Sequence, residues 1–582
     1  MTHPVDRWVA SVEDPKDKCP SGPNAKWKKN SNEIVCALET LQVVMPAQLN
    51  SERQCPLVVS REPNDSSVNM PLILMKYANH SYLNNKISTQ NMSKLKCEVE
   101  LFRRAELRRS IEGCGFPIVP SSDLFIGNLE VMKSESTPFR FQELRRQYGK
   151  TYAVMQGAFP TVVTSDVDVI QDVCLKKFRF FHSRMTDPTS GDPDKSREVH
   201  VFAARGERWK RIRSLTSPAL SNQNLRRLFT TINDSAWRFV NGLLEDNNNS
   251  TPIELHRRFQ NLTYDVISRC CLGRAESCQK NDPNLELLLK KFRCLPEWSA
   301  LLSFYSSLRS QIRRMLRLQP DPLQVYAQKL YAIAERREKS DEHYDFLQFL
   351  KNVEDNEWEG WMTMNDVQTD MNTVKIPKKM IREEVVAQMR FMSSAGFDTT
   401  ANTLTYLTYL LASHPDKQEK LREEMDNAGE ACFDTVQKME YLHWAISETL
   451  RLFPHASLLQ SRRCVEDCDV GAYKFKRGTN IVFDTWSLHH DPEVWGKDAD
   501  EFRPERFGER TAEQMRSWMP FGAGPRQCIG MRFALLEAKI TMFQLLRNFR
   551  ILKVDGTNRL HLRLREMGTV WPDSARVILE AR

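Results

Sequence analysis

Apolar positions recur along this chain at two different periods. From Trp209 to Leu220, Leu225 to Leu244, Leu255 to Cys271, Leu323 to Glu338 and Ile381 to Ser413 they return every three to four residues, which predicts helices with a buried face. Alternation at period two is rarer and shorter. Tyr152 to Thr164 predicts a hairpin, Val470 to Val482 alternates around a turn at Arg477-Gly478, and a last strand pair is expected near Leu560 to Leu579. A mainly α domain with small antiparallel β-sheets follows. The stretch before residue 99 is rich in Asn, Ser, Pro and Lys and holds neither period. Residues 1–98 are therefore expected to be a poorly ordered or atypical leader, and residues 99–582 the folded domain. A basic helical patch, Phe102-Arg103-Arg104 with Leu107-Arg108-Arg109, and a turn from Gly113 to Pro120 open that domain. The acidic, Trp-containing stretch Asn352 to Lys375 is expected to be a surface insertion between helices.

Composition narrows the class. The 582 residues are 41% hydrophobic and 27% charged with no fixed repeat, which excludes solenoids, fibres and wholly disordered chains. The net charge of +8 is modest and its Lys and Arg residues are dispersed, so a nucleic-acid partner is not expected. Attraction to acidic lipid or an acidic protein is compatible with it. Fourteen cysteines without a secretory signal read as reduced thiols facing the cytosol, and Cys270-Cys271 and Cys464 with Cys468 read as core or surface thiols, not metal ligands. No window reaches the roughly 20 apolar residues of a spanning helix. Asp6, Glu13, Asp14 and Asp17 argue against a mitochondrial presequence.

One cysteine stands apart. Phe521-Gly522-Ala523-Gly524-Pro525-Arg526-Gln527-Cys528-Ile529-Gly530 is a tight loop that opens onto a helical run, Met531 to Leu546. A sulfur there sits near helix N-terminal N–H groups, which favour its thiolate and are expected to keep its pKa low. Ala395-Gly396-Phe397-Asp398-Thr399-Thr400 lies inside the longest helical segment, where a Thr hydroxyl can bond back to a carbonyl one turn earlier. Glu448-Thr449-Leu450-Arg451 sets opposite charges at i and i+3, Pro504-Glu505-Arg506-Phe507 follows, and Trp209 and Arg213 lie one helical turn apart. Taken singly, each of these has an ordinary structural explanation.

Together and in this order they resemble the cytochrome P450 superfamily, over about residues 113 to 582 and closest to its microsomal, drug- and steroid-oxidising type. The loop matches all five fixed positions of the family's haem-binding pattern. The resemblance implies the mainly α P450 fold around one haem b, with Cys528 as axial iron ligand. It implies that Phe521 and Arg526 belong to the cofactor-binding loop, and that Trp209, Arg213 and Arg462 hold haem propionates, with Arg463 an alternative to Arg462. It assigns Glu448, Arg451 and Arg506 to a buried structural triad behind the Cys loop. Asp398 and Thr399 would pass protons towards dioxygen, beside small Ala395 and Gly396 that leave it room. The implied activity is monooxygenation of a lipophilic substrate with O2, fed by NADPH-cytochrome P450 reductase at the cytoplasmic face of the endoplasmic reticulum. Microsomal relatives begin with a membrane-spanning helix that residues 1–98 do not supply, so attachment to the membrane surface is expected, with Leu295 to Leu308 as a stretch that could enter lipid. Two other readings stay open: an O2-independent haem-thiolate isomerase or dehydratase, and a haem sensor without catalysis.

Overall fold

The computed structural model describes residues 109–582 apart from 122–126, 129, 132–135, 157–158, 186–191, 247–250, 292–321, 341–343, 364–376, 555–559 and 565–567. The expected leader, the basic patch from Phe102 to Arg108 and the stretch Leu295 to Leu308 lie outside the described residues.

Helices dominate, as the 3.6-residue period requires. Those that build the site are α1 (Thr137–Tyr148), α2 (Gly206–Thr216), α3 (Asn222–Asp246), α4 (Leu255–Leu272), α5 (Pro322–Arg336), α6 (Arg382–Ser413), α7 (Glu440–Leu452), α8 (Thr485–His489) and α9 (Met531–Asn548). The 32-residue α6 is central, because residues on all its sides are buried, from Glu384 and Val385 to Leu411. It packs most intimately on α4. Gly396 permits that approach: a Cβ at this position would run into the Cδ1 end of Ile267. Gly273 then ends α4 in a left-handed conformation at φ 71°. The largest cluster of buried apolar side chains joins α2 to α7 with α9.

The strands are short and lie at the margins. One sheet has the order β1 (Thr151–Gln156), β2 (Phe159–Thr164), β7 (Asn480–Phe483), β4 (Ser461–Arg463). In it β2 and β7 run parallel, Thr161 opposite Asn480, beside the antiparallel pairs that the sequence leads one to expect. The alternation from Val470 to Val482, expected to turn at Arg477-Gly478, divides at two turns. Gly471, at φ 55°, turns β5 (Cys468–Val470) onto β6 (Tyr473–Phe475), whereas Arg477-Gly478 leads β7 away into the larger sheet. Near the C-terminus β9 (Leu562–Leu564) pairs β10 (Val570–Pro572), while β11 (Arg576–Ala581) pairs β8 (Phe549–Lys553) and β3 (Ile253–Glu254). The Trp-containing insertion is no free loop over its described part. Trp361 is buried beneath the guanidiniums of Arg197 and Arg208, and Arg211 covers Trp358 at 4.5 Å from its ring centroid. Cation–π contact with α2 outweighs the acidic residues that suggested a solvated stretch.

Candidate active site

The triad residues meet. Arg451 grips Glu448 with two hydrogen bonds of 2.7 and 2.8 Å, and Arg506 donates to the same carboxylate at 3.3 Å. All three are buried, and the remaining guanidinium hydrogens reach backbone oxygens: Arg451 those of His489 and Ala499, Arg506 those of Trp495 and Asp498. A buried ionic network satisfied this fully fixes the distant backbone segments it ties together. One of them leads to the cysteine loop. Burial and the nearby Arg451 push the His489 imidazole down to about 3, so it is neutral, and its Nε2 accepts the Met519 N–H at 3.1 Å. Gln460 donates to the Met519 carbonyl from the other side at 2.8 Å. Gly522 then turns the chain, and the Cys528 N–H closes the loop on the Phe521 carbonyl at 2.9 Å.

The loop presents Cys528 outwards from its backbone, with an exposed side chain at the mouth of α9. Its thiol departs from the expectation of a low pKa. Desolvation by the surrounding protein raises it and outweighs the N–H groups of Gly530 and Met531 and the charges of Arg213 and Arg184, all of which favour the thiolate. Arg213 donates to the carbonyl of Gln527 at 2.7 Å, so α2 touches the loop one residue from the sulfur. Arg526 lies flat over Trp209, 4.4 Å from the ring centroid, and donates to the carbonyls of His182 and Ala204. Arg462, on β4, donates to the Ala523 carbonyl at 3.1 Å. Phe521 packs at the edge of the main core.

A fourth arginine of this cluster escapes sequence reasoning. Arg184 donates to the carbonyls of Leu459 and Arg526, and burial together with Arg462 and Arg213 holds its pKa well below the ordinary value. Burial likewise lowers Arg213 and Arg462. Among the described residues no carboxylate forms an ion pair with Arg184, Arg213 or Arg462, and the buried Nε atoms of Arg184 and Arg462 have no acceptor. Such a group of cations beside a thiol fits a ligand that is anionic at its edge and carries a metal for sulfur.

On α6, Phe391, Ala395, Gly396 and Thr399 are only half-buried in a stretch whose neighbours are buried. Phe391, Ala395 and Thr399 are spaced at i, i+4 and i+8, so they share one face and mark where the helix opens. Thr399 Oγ1 donates to the Ala395 carbonyl at 2.8 Å. Asp398 points elsewhere and is fully buried. Its Oδ2 accepts from Thr569 at 2.7 Å and Asn402 at 3.2 Å, its Oδ1 has no hydrogen-bond partner among the described residues, and burial pushes the carboxyl up to about 6. Thr400 is buried as well, beside Glu537, whose carboxyl burial raises well above the ordinary range.

The Cytochrome P450 family model matches residues 117–577. Three Caenorhabditis elegans relatives, provisionally named cytochrome P450 CYP13A5, CYP13A6 and CYP13A2, are 32%, 32% and 33% identical, each over 82% of this chain and 94%, 95% and 94% of its own length respectively. The chain belongs to the cytochrome P450 family. As a P450 it is a haem-thiolate oxidoreductase with the family's mainly α fold, and among its described residues no helix is long and apolar enough to cross a membrane.

The wall between α6 and the cysteine loop completes this P450 site. Gln388, on α6, donates to the Val199 carbonyl at 3.0 Å and accepts the Val201 N–H at 2.7 Å, while Arg390 pairs with Glu198 at 2.9 Å. On the opposite edge Arg526 donates to the Phe202 carbonyl at 3.2 Å. Residues 198–204 are thus bonded to the open helix and to the Cys528 loop at once. A loop without periodicity gives no sequence signal for this, and Gln388 could have been found only as a polar residue at a buried helical position.

Proposed function

We propose that this P450 is a monooxygenase that inserts one oxygen atom of O2 into a C–H or C=C bond of a lipophilic small molecule. Haem b would be its cofactor, with the Cys528 sulfur as ligand to its iron. Trp209, Arg213, Arg462, Phe521 and Arg526 would hold the cofactor, and Arg184 would join them. The observation that carries the reading is the gathering of buried and half-buried guanidiniums, three of them without acidic partners among the described residues, around the exposed Cys528 side chain. Haem fits this set because its propionates are bidentate acceptors for arginine. When bound, haem would supply the redox chemistry that activates O2, and a metal at the sulfur would favour the thiolate that desolvation by the surrounding protein disfavours.

The chain's own residues then divide the work. Glu448, Arg451 and Arg506 keep the cysteine loop in place. Thr399 holds a proton at Oγ1 on the open face of α6, within a hydrogen bond it can redirect from Ala395. Asp398, with its carboxyl raised to about 6, gains and loses a proton near neutral pH.

Electrons come from NADPH-cytochrome P450 reductase. Its docking is supported by exposed Leu175, one residue from the Cys174 carbonyl that abuts Gly524, and by exposed Met515. The haem domain spans residues 99–582 behind a leader of residues 1–98, and the protein works at the cytoplasmic face of the endoplasmic reticulum. Reconstitution with the reductase and a lipid extract tests the reading. NADPH consumption with incorporation of one oxygen atom from labelled O2 is expected. Turnover of organic peroxides without reductase or NADPH would overturn it in favour of an isomerase, and haem binding without either reaction in favour of a sensor.

A further inference from the structure

Cys464 and Cys468 take no part in the site described above, yet the fold brings their sulfurs together. β4 ends at Arg463, the chain bends at Val465 and Glu466, and β5 begins at Cys468. Both ends of this bend are pinned to the same neighbouring segment. The Cys464 N–H donates to the Thr479 carbonyl and the Cys464 carbonyl accepts the Gly478 N–H, each at 2.8 Å, while Cys468 stands opposite Phe475 in the pairing of β5 with β6. Between them, the Asp467 carboxylate accepts the Arg477 N–H at 2.7 Å and the Lys476 ammonium at 2.9 Å. The Cys464 Sγ consequently lies 2.9 Å from the Glu466 carbonyl oxygen, 3.8 Å from that of Phe475 and within hydrogen-bonding reach of the Cys468 sulfur. Its single proton can turn to any of the three.

The two sulfurs differ in their surroundings. Cys464 is fully buried in a core cluster with Cys114 and Phe475, whereas Cys468 is half-buried at the edge of that cluster, between exposed Asp467 and Asp469. The hydrogen bond from Cys464, helped by the charge of Lys177, lowers the Cys468 thiol against desolvation and the two aspartates. The same hydrogen bond and burial raise Cys464, which stays a thiol. A solvent-reachable sulfur that favours its thiolate, beside a sheltered protonated one, is the arrangement of a cysteine that meets oxidants and is then resolved. Cys114 has no such character: burial raises it and its Sγ donates to the Ser110 carbonyl at 3.1 Å.

We propose that Cys464 and Cys468 form a redox modification site, a dithiol that hydrogen peroxide closes reversibly to a disulfide, with Cys468 the attacking sulfur and Cys464 the resolving one. The Cys468 thiolate attacks one peroxide oxygen, the O–O bond breaks, and the departing hydroxide takes up a proton to become water. This leaves Cys468 as a sulfenic acid. The Cys464 sulfur then attacks the Cys468 sulfur, the S–S bond forms as the S–O bond breaks, and the oxygen leaves as a second water with the Cys464 proton. Two thiols have lost two electrons and one peroxide has gained them. An enzyme that reduces O2 works where peroxide, the two-electron product of O2, can form, and intracellular disulfides of this transient kind are redox-sensing. The chemistry is independent of the substrate and of the proton relay.

The test exposes the full-length haem-loaded protein briefly to hydrogen peroxide, then denatures it, alkylates the remaining thiols and analyses tryptic peptides by mass. Cleavage after Arg463 and Lys474 releases both cysteines in one peptide, residues 464–474. That peptide is expected to lose two hydrogen atoms and both alkylation sites, and to regain them after dithiothreitol, while buried Cys270 and Cys271 remain alkylated. In Cys464→Ser the disulfide should vanish and Cys468 should accumulate as a sulfenic acid that dimedone traps. In Cys468→Ser the sheltered Cys464 should stay reduced. A 464–474 peptide of the wild-type protein that remains fully alkylated overturns the inference. So does a sulfenic acid yield unchanged by Cys464→Ser, or a bond from Cys468 to Cys114 in place of Cys464.

Discussion

Thr399 and Thr400 are neighbours in the chain with opposite surroundings. Thr399 is half-buried on the open face of α6, whereas Thr400 is buried beside Glu537. Thr399→Ala should therefore keep haem content and NADPH consumption while oxygenated product per NADPH falls by roughly tenfold or more, as loss of a positioned proton donor does. Thr400→Ala should leave that ratio unchanged. The reverse result would move the relay one residue along the helix. Asp398 makes a prediction about pH. Its carboxyl is raised from 3.8 to about 6, so folding favours the protonated form. Stability from this group is present below about 4 and lost as pH rises through about 6. Relative to Asp398→Asn, the wild-type protein should lose up to ~3 kcal/mol between pH 4 and pH 7, measured by chemical denaturation at each pH. A difference that is constant with pH would show that the carboxyl titrates normally.

At the scale of elements, the contact between α6 and α4 depends on what Gly396 lacks. Gly396→Ala should cost ~1–2 kcal/mol despite alanine's better helix propensity, because its Cβ meets the Cδ1 of Ile267. Ile267→Val removes that Cδ1, so in its background the same change should cost less, and a double-mutant cycle measures the coupling. Equal costs in both backgrounds would place the strain elsewhere. The loop of Cys528 depends on α7 and α8. Arg451→Ala leaves Glu448 buried without its closest cation, which costs ~3–5 kcal/mol. Haem-free or aggregated protein is expected, and full haem content with an ordinary spectrum would contradict the structural role.

The helices were legible in the chain because each buries a face or its whole circumference, and period reports burial directly. The motifs were legible for a different reason. Cys528, Arg451 and Thr399 sit in local patterns whose order along the chain is itself informative. What escaped was non-local. The parallel pairing of β2 with β7 joins residues more than 300 apart, and alternation within a strand says nothing about its partner's direction. Arg184 lies in irregular chain, where its place in the cation cluster comes from what the loop is tied to. The low pKa expected for Cys528 failed because local N–H groups are visible in a sequence and desolvation by the whole fold is not.

Across the whole molecule, haem binding is proposed to lie within residues 99–582. Deleting residues 1–98 should therefore leave haem content and spectrum intact, and loss of haem would show that the leader contributes to the domain. Cys528 is proposed to ligate the iron through its sulfur. The absorption spectrum of the reduced, carbon monoxide-bound protein, wild type beside Cys528→Ala, tests this. The red-shifted band of thiolate-ligated haem is expected in the wild-type protein and its absence in the variant. The same band in both proteins would contradict it.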